Sequence, residues 1–139
     1  MDNIATYNPL LVKVAFGNHI VTGYAEDSFV TIEPLDSGIT SKAGCDGDIV
    51  RSVDPNNRYT VKVALLVSSP TNRYLSDQYA KDKRDGSGAF PVLIKDVTGA
   101  EKFTTSLAWV TKQASVTKGK EGQNKEWVLE TGQAELAYE

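Results

Sequence analysis

The chain has little of the chemistry that enzymes and metal sites rely on. It carries one cysteine and one histidine. Cys45 has no second cysteine to bridge to, which excludes an internal disulfide and fits a protein made in a reducing cytosol. His19 lacks the Cys, His or carboxylate neighbours that zinc needs at close spacing, and reads as a solvent-exposed turn residue. Long hydrophobic runs are missing too. The longest, Val63–Val67, spans five residues, against the roughly 20 that cross a bilayer as a helix. No basic run suggests a nucleic-acid or anionic-membrane surface. The first ten residues, MDNIATYNPL, have an early acid, no basic region and no apolar core, which argues against a secretory signal and offers no membrane anchor. Helical periodicity is confined to one short segment.

The remaining composition is that of an ordinary folded domain. Of 139 residues, 40% are apolar and 24% charged, and the formal net charge is −3. That balance excludes general disorder and leaves room for a real core. The expectation is one domain over residues 1–139.

Strands dominate the reading. Leu10–Phe16 is a short apolar run closed by a Gly17-Asn18 turn, and Ile20–Gly23 can return as a hairpin partner. Phe29–Ile32 is a weaker strand stopped by Pro34. From Asp36 the composition turns to Gly, Ser and Asp, so a long loop is expected at about 36–57, with a tight turn at Asp46-Gly47-Asp48. Arg58–Val67 alternates cleanly: Tyr59, Val61, Val63, Leu65 and Val67 share one face. Ser69 as N-cap and Pro70 at the first helical position start a helix. Its face carries Tyr74, Leu75, Gln78 and Tyr79, and Lys81, Lys83 and Arg84 suit its C-terminal dipole. Asp85-Gly86-Ser87-Gly88 ends it. Phe90–Val97, a Thr98-Gly99 turn, Phe103–Val116, a Lys/Gly-rich loop at Thr117–Asn124, Lys125–Thr131 and a short AELAY segment complete the chain. In Phe103–Val116, strict alternation puts Phe103, Thr105, Leu107, Trp109 and Thr111 on one face. Strands, one helix, then strands predict a mainly β fold: a β-sandwich or partly rolled barrel with one flanking α-helix. Long strands leave edges that invite pairing with another chain.

Each candidate for chemistry has a plainer reading. Asp46-Gly47-Asp48 lacks the third acid and terminal Glu of a calcium loop. Cys45 has no nearby base to activate it. Gly86–Pro91 has the wrong spacing for a dinucleotide fingerprint, and Lys118-Gly119-Lys120 is no Walker loop. Glu126 and Glu130 lie four apart on a strand, which suits a wet surface better than glycoside hydrolysis. Trp109 and Trp127 could stack on a sugar, but cross-strand core aromatics explain them as well. No catalytic residue, metal ligand or cofactor site is expected.

The order and spacing of several segments carry more information. Ala43–Ser52 (AGCDGDIVRS), Asn56–Val67 (NNRYTVKVALLV) and Ser68–Leu75 (SSPTNRYL) resemble the tail tube proteins of tailed bacteriophages. The likeness is greatest to small structural proteins of phages with contractile tails. The shared pattern falls on Asp46, Gly47, Arg51, Ser52, Leu65, Ser69, Pro70, Asn72 and Leu75. Glu126–Gly132 resembles the same family. The first 42 residues match in strand order only, and Cys45 is an addition to the loop.

The resemblance implies a structural protein that forms homohexameric rings stacked into a hollow tube. Inner strands of neighbouring subunits would join into one barrel, and the long loop would reach the neighbouring ring. Asp36, Ser41, Lys42, Asp46, Asp48 and Arg51 are the candidates for that contact. Genomic DNA would pass through the lumen, with Glu126 and Glu130 as candidates for its lining, since an acidic wall repels phosphate. The implied partners are further copies of the chain and the tail sheath, tape-measure, baseplate and tail terminator proteins. The implied location is the virion tail after synthesis in the host cytoplasm. A tube subunit of a bacterial contractile injection or secretion apparatus, and a monomeric β-sandwich binding module, remain as alternatives.

Overall fold

A computed structural model describes residues 7–26, 29–97 and 101–138. The Thr98-Gly99 turn lies outside the described residues. After a 3-10 turn at Pro9–Leu11 come β1 (Val12–Phe16), β2 (His19–Ile20), β3 (Val30–Pro34), β4 (Ile39–Ala43), β5 (Ile49–Val53), β6 (Tyr59–Leu65), α1 (Thr71–Asp85), β7 (Phe90–Asp96), β8 (Glu101–Lys112), β9 (Lys125–Thr131) and β10 (Ala134–Tyr138). The fold is mainly β with one helix, as the sequence implies.

Eight strands form one antiparallel sheet in the order β2-β1-β7-β8-β9-β6-β3, with β10 also on β8. Ala108 pairs with Thr131 and Thr105 with Ala134. β9 and β10 therefore run in one register along the same edge of β8, joined through Gly132, whose N–H donates to the Leu107 carbonyl at 2.8 Å.

Alternation decides which face is dry. On β6, Val61, Val63 and Leu65 are buried, as are Val92 and Ile94 on β7 and Trp127 and Leu129 on β9. With Val14 and Phe16 of β1, they form one core cluster, against which Val30 and Ile32 of β3 pack. β1 and β3 stand at opposite ends of the strand order, so the sheet must roll over on itself to share that core.

Strict alternation fails on β8. Phe103, Thr105, Ala108 and Val110 are buried while Leu107 is half exposed. Phe90 faces Ala108 and Val92 faces Thr105, so two steps on β7 span three on β8. This bulge at Ser106-Leu107 moves Ala108, Trp109 and Val110 to the opposite face from the one expected, and a second shift between Val110 and Lys112, against β9, reverses it. The Thr105 hydroxyl satisfies the disturbed backbone, donating to the Gln133 carbonyl at 3.0 Å. β8 also ends at Lys112 rather than Val116, and β6 ends at Leu65, leaving Val67 exposed.

The helix starts where expected. Pro70 already has helical angles, φ −67° and ψ −18°, and the Ser69 hydroxyl accepts the Thr71 N–H at 3.2 Å. The same hydroxyl donates to the Thr22 carbonyl, tying the cap to the segment after β2. Gly86 closes the helix at φ 77°, its N–H donating to the Asp82 carbonyl at 3.0 Å. α1 packs on β8 and β2, and Leu75 is fully buried.

Asn72 is the main polar link between helix and sheet. Its Oδ1 accepts the Trp127 indole N–H at 2.9 Å, and its Nδ2 donates to the Leu66 carbonyl at 2.9 Å. His19 is a second link and is not the free turn residue expected. Its Nε2 lies 2.8 Å from the buried Thr71 hydroxyl, and its ring stacks on Tyr74 at 4.6 Å.

Candidate assembly surfaces

The segment expected as an irregular loop at about 36–57 holds a β-hairpin. β4 and β5 pair from Ile39 opposite Val53 to Ala43 opposite Ile49, in a sheet of their own. The Gly44 N–H donates to the Asp48 carbonyl at 2.8 Å and the Gly47 N–H to the Gly44 carbonyl at 3.2 Å, closing the turn. Gly47 has φ 91°, a conformation strained for any residue with a Cβ. At the base, the Asp54 N–H donates to the Gly38 carbonyl at 2.8 Å.

Every residue from 39 to 53 is exposed. One face of the hairpin carries Ile39, Ser41, Ala43, Ile49, Arg51 and Val53; the other carries Thr40, Lys42, Val50 and Ser52. Ile39, Ile49, Val50 and Val53 are each more than half exposed. A two-stranded hairpin is marginal alone, and clustered large aliphatic side chains in water mark a contact surface.

Ser41 and Arg51 stand directly opposite each other, and Lys42 stands opposite Val50. Asp46 and Asp48 are in the turn, where Asp46 Oδ1 accepts the Asp48 N–H at 3.4 Å. Asp36 lies apart, before the hairpin, on a groove shared with Asn56 and Arg58. Sequence reading missed the four aliphatic residues. Their signal was the alternation in ITSKA and IVRSV, diluted by the surrounding Gly, Ser and Asp.

Glu126 and Glu130 share the outward face of β9 with Val128. At the rise of an extended strand they are roughly 13 Å apart, beyond the ~9.5 Å limit for paired glycosidase carboxylates. Glu130 lies 3.6 Å from Arg58. That guanidinium also donates from Nε to the Thr131 carbonyl at 2.9 Å and stands 5.8 Å from the Trp109 ring. Trp109 therefore belongs to this outer face, whereas Trp127 is in the core. The face is mixed rather than uniformly acidic, since Lys62 faces Val128. Toward the other end of the sheet, Lys13 faces Lys95 and Lys95 faces Lys102. That lysine row is invisible to local sequence reading.

Between the ends of the rolled sheet lies an apolar cleft of about 580 Å³, lined by Val30, Ile32, Ile94, Leu136 and Tyr138 among others, with Glu26 and Glu101 also on its wall. Among the described residues, no group of three or more His, Cys, Asp or Glu side chains could hold a metal. Displaced pKa values have structural causes. Burial pushes the phenols of Tyr24 and Tyr74 up, and hydrogen bonds from the Ser87 hydroxyl and amide hold Asp85 below its usual range.

Known proteins share this fold. At 12% identity, a chain of the sheath–tube complex of an extracellular contractile injection system, PVC, superposes with a TM-score of 0.66 over 96% of this chain and 93% of the other. The anti-feeding prophage tube-terminating cap superposes at 0.63, also at 12% identity, over 99% and 97%. Such identities establish the fold alone. In sequence, the chain is 25% identical over 133 residues to structural protein ORF10 of Pseudomonas phage KPP10, covering 90% of this chain and 77% of the relative. Residues 10–137 match the family model described as the bacteriophage PhiTE tail tube protein. The chain is thus a structural component of a phage tail rather than an enzyme, and belongs to the phage tail tube protein family.

Proposed function

We propose that the chain is the repeating subunit of the inner tube of a phage tail, assembling into homohexameric rings that stack into a hollow conduit for genomic DNA. The observation that carries this reading is the hairpin over residues 39–53, wholly exposed and rich in aliphatic side chains. In a chain of the tail tube family, such a surface has a use only once it is covered. The hairpin, with Ser41, Lys42, Asp46, Asp48 and Arg51, reaches a neighbouring ring, and Asp36 borders the same contact. The outward face of β9 lines the lumen, where Glu126 and Glu130 repel phosphate so that DNA slides without sticking. Sheath, tape-measure, baseplate and terminator proteins are the other partners, and the protein acts in the virion tail after synthesis in the host cytoplasm.

The role needs no bond-making step. Each subunit provides a rigid wall and complementary contacts. Negative-stain electron microscopy of the concentrated protein tests the proposal: rings or hollow tubes are the expected result, and a monomer that persists at high concentration refutes it. The fold shared with a chain of the injection-system sheath–tube complex supports a second reading, a tube subunit of a related contractile injection apparatus. Packaged DNA in purified particles separates the two.

A further inference from the structure

The hairpin and the cleft match each other in chemistry. The hairpin face presents Ile39, Ile49 and Val53 around Arg51. The cleft offers apolar walls, including Ile32, Ile94 and Leu136, with Glu26 and Glu101 exposed on its wall. Neither glutamate has an ion-pair partner among the described residues, and neither does Arg51. The chain's own hairpin does not fill the cleft, because every residue from 39 to 53 is exposed.

We infer that the Ile39/Ile49/Val53 face of one copy's β4–β5 hairpin seats in the cleft of a second copy, placing Arg51 against Glu26 and Glu101. The inference rests on the tube reading and adds the receptor to it. Hairpin and cleft are different surfaces, so the contact is heterologous: each copy gives one hairpin and receives another. Unless two copies exchange hairpins reciprocally, contacts of that kind propagate into rings or filaments. The apolar face supplies the buried area, and the guanidinium between carboxylates fixes orientation. The occupant of the cleft is a second copy rather than a small apolar ligand, because the cationic centre of the hairpin answers the two carboxylates.

Two cysteine variants test this in a Cys45→Ser background of the full chain. One carries Ile49→Cys on the hairpin; the other carries Tyr138→Cys at the cleft, where the native side chain is 68% exposed. The two are mixed, concentrated and mildly oxidised. A control mixture pairs Ile49→Cys with Lys81→Cys on the helix. The expected result is a disulfide-linked dimer in the hairpin–cleft mixture at about tenfold or more over the control, the ratio that a 1.4 kcal/mol preference produces. Rings or tubes with cross-linking no higher than the control overturn the docking and leave the tube reading standing. Monomers without cross-links overturn both. Cross-links without tubes support the docking and count against the tube. As a second readout, Arg51→Glu raises the concentration needed for assembly by about tenfold, and Glu26→Arg with Glu101→Arg restores it. Failure to restore assembly, with circular dichroism unchanged, overturns the charge pairing.

Discussion

Replacing Asn72 with alanine tests how the helix is held to the sheet. The Asn72 Oδ1 accepts the Trp127 indole N–H at 2.9 Å, and Trp127 is only 3% exposed. Without that acceptor the indole donor is buried and unpaired, which costs about 1–3 kcal/mol. The Nδ2 bonds to the carbonyls of Leu66, at 2.9 Å, and Val67, at 3.4 Å, are lost as well. Leu66 and Val67 are exposed, so water replaces those bonds and the added cost is about 0.5 kcal/mol. Alanine returns about 0.5 kcal/mol through its better helix propensity. The net expectation is about 2 kcal/mol of destabilisation. At an unfolding entropy of about 0.3 kcal/mol/K for a chain of this length, that lowers Tm by about 7 °C. Urea titration and calorimetry of the unassembled protein measure both. A double-mutant cycle with Trp127→Phe isolates the shared bond: the two substitutions should couple by about 1 kcal/mol. A cost below about 0.5 kcal/mol for Asn72→Ala, or strictly additive substitutions, refutes the reasoning.

A Cβ at Gly88 would stand 2.1 Å from the Gln78 carbonyl oxygen and 2.7 Å from the Asp82 backbone; Gly88→Ala should cost about 2 kcal/mol or more in denaturant titration, because helix backbone cannot yield as a side chain would. Tyr24 and Tyr74 have folded pKa values above 10.0. Their contribution to stability is therefore complete below about pH 10 and is lost as pH rises through the folded values, since the unfolded chain ionises first. Urea midpoints should fall as pH rises above about 10, and by less in Tyr24→Phe with Tyr74→Phe. Reversing Glu126 and Glu130 to lysine should reduce phage infectivity more than tube yield. Loss of the half-exposed Arg58–Glu130 pair itself costs only about 0–1 kcal/mol, and normal infectivity of the doubly substituted tube counts against a lumen role.

Where one face is dry and the pattern local, the sequence was a sufficient guide. β6, β7 and β9 bury the residues that alternation selects, and α1 begins and ends at its Ser69-Pro70 and Gly86 signals. It failed where geometry depends on a distant strand. The β8 bulge arises from pairing with β7 and moves Ala108 and Val110 into the core and Trp109 out. His19 has no partner within its own segment; Thr71 and Tyr74 arrive from α1. The hairpin was hidden for a different reason. Neither face is buried in the monomer, so the alternation in its strands is weak, and the surrounding Gly, Ser and Asp outweigh the aliphatic residues. The cleft and the lysine row are products of the sheet's strand order and have no linear signature.

On the proposed tube reading, stability and assembly fall to separate parts of the chain. In the segment that resembles tail tube proteins, Ser69, Asn72 and Leu75 have full employment in the monomer: the first caps the helix, the second links it to Trp127, the third fills the core. Arg51 and Ser52, from the same pattern, are exposed and pair across the hairpin with Ser41 and Thr40, and that hairpin exposes four large aliphatic side chains. A hairpin that serves only its own chain would gain solubility from polar residues at Ile39, Ile49, Val50 and Val53 and would lose little stability. Keeping them apolar makes physical sense only if they are covered later. Substitutions there should accordingly leave the monomer's unfolding free energy within about 0.5 kcal/mol while abolishing higher assembly, whereas substitutions at Asn72 or Leu75 act through folding. That separation distinguishes a built-in contact surface from an incidental surface hairpin.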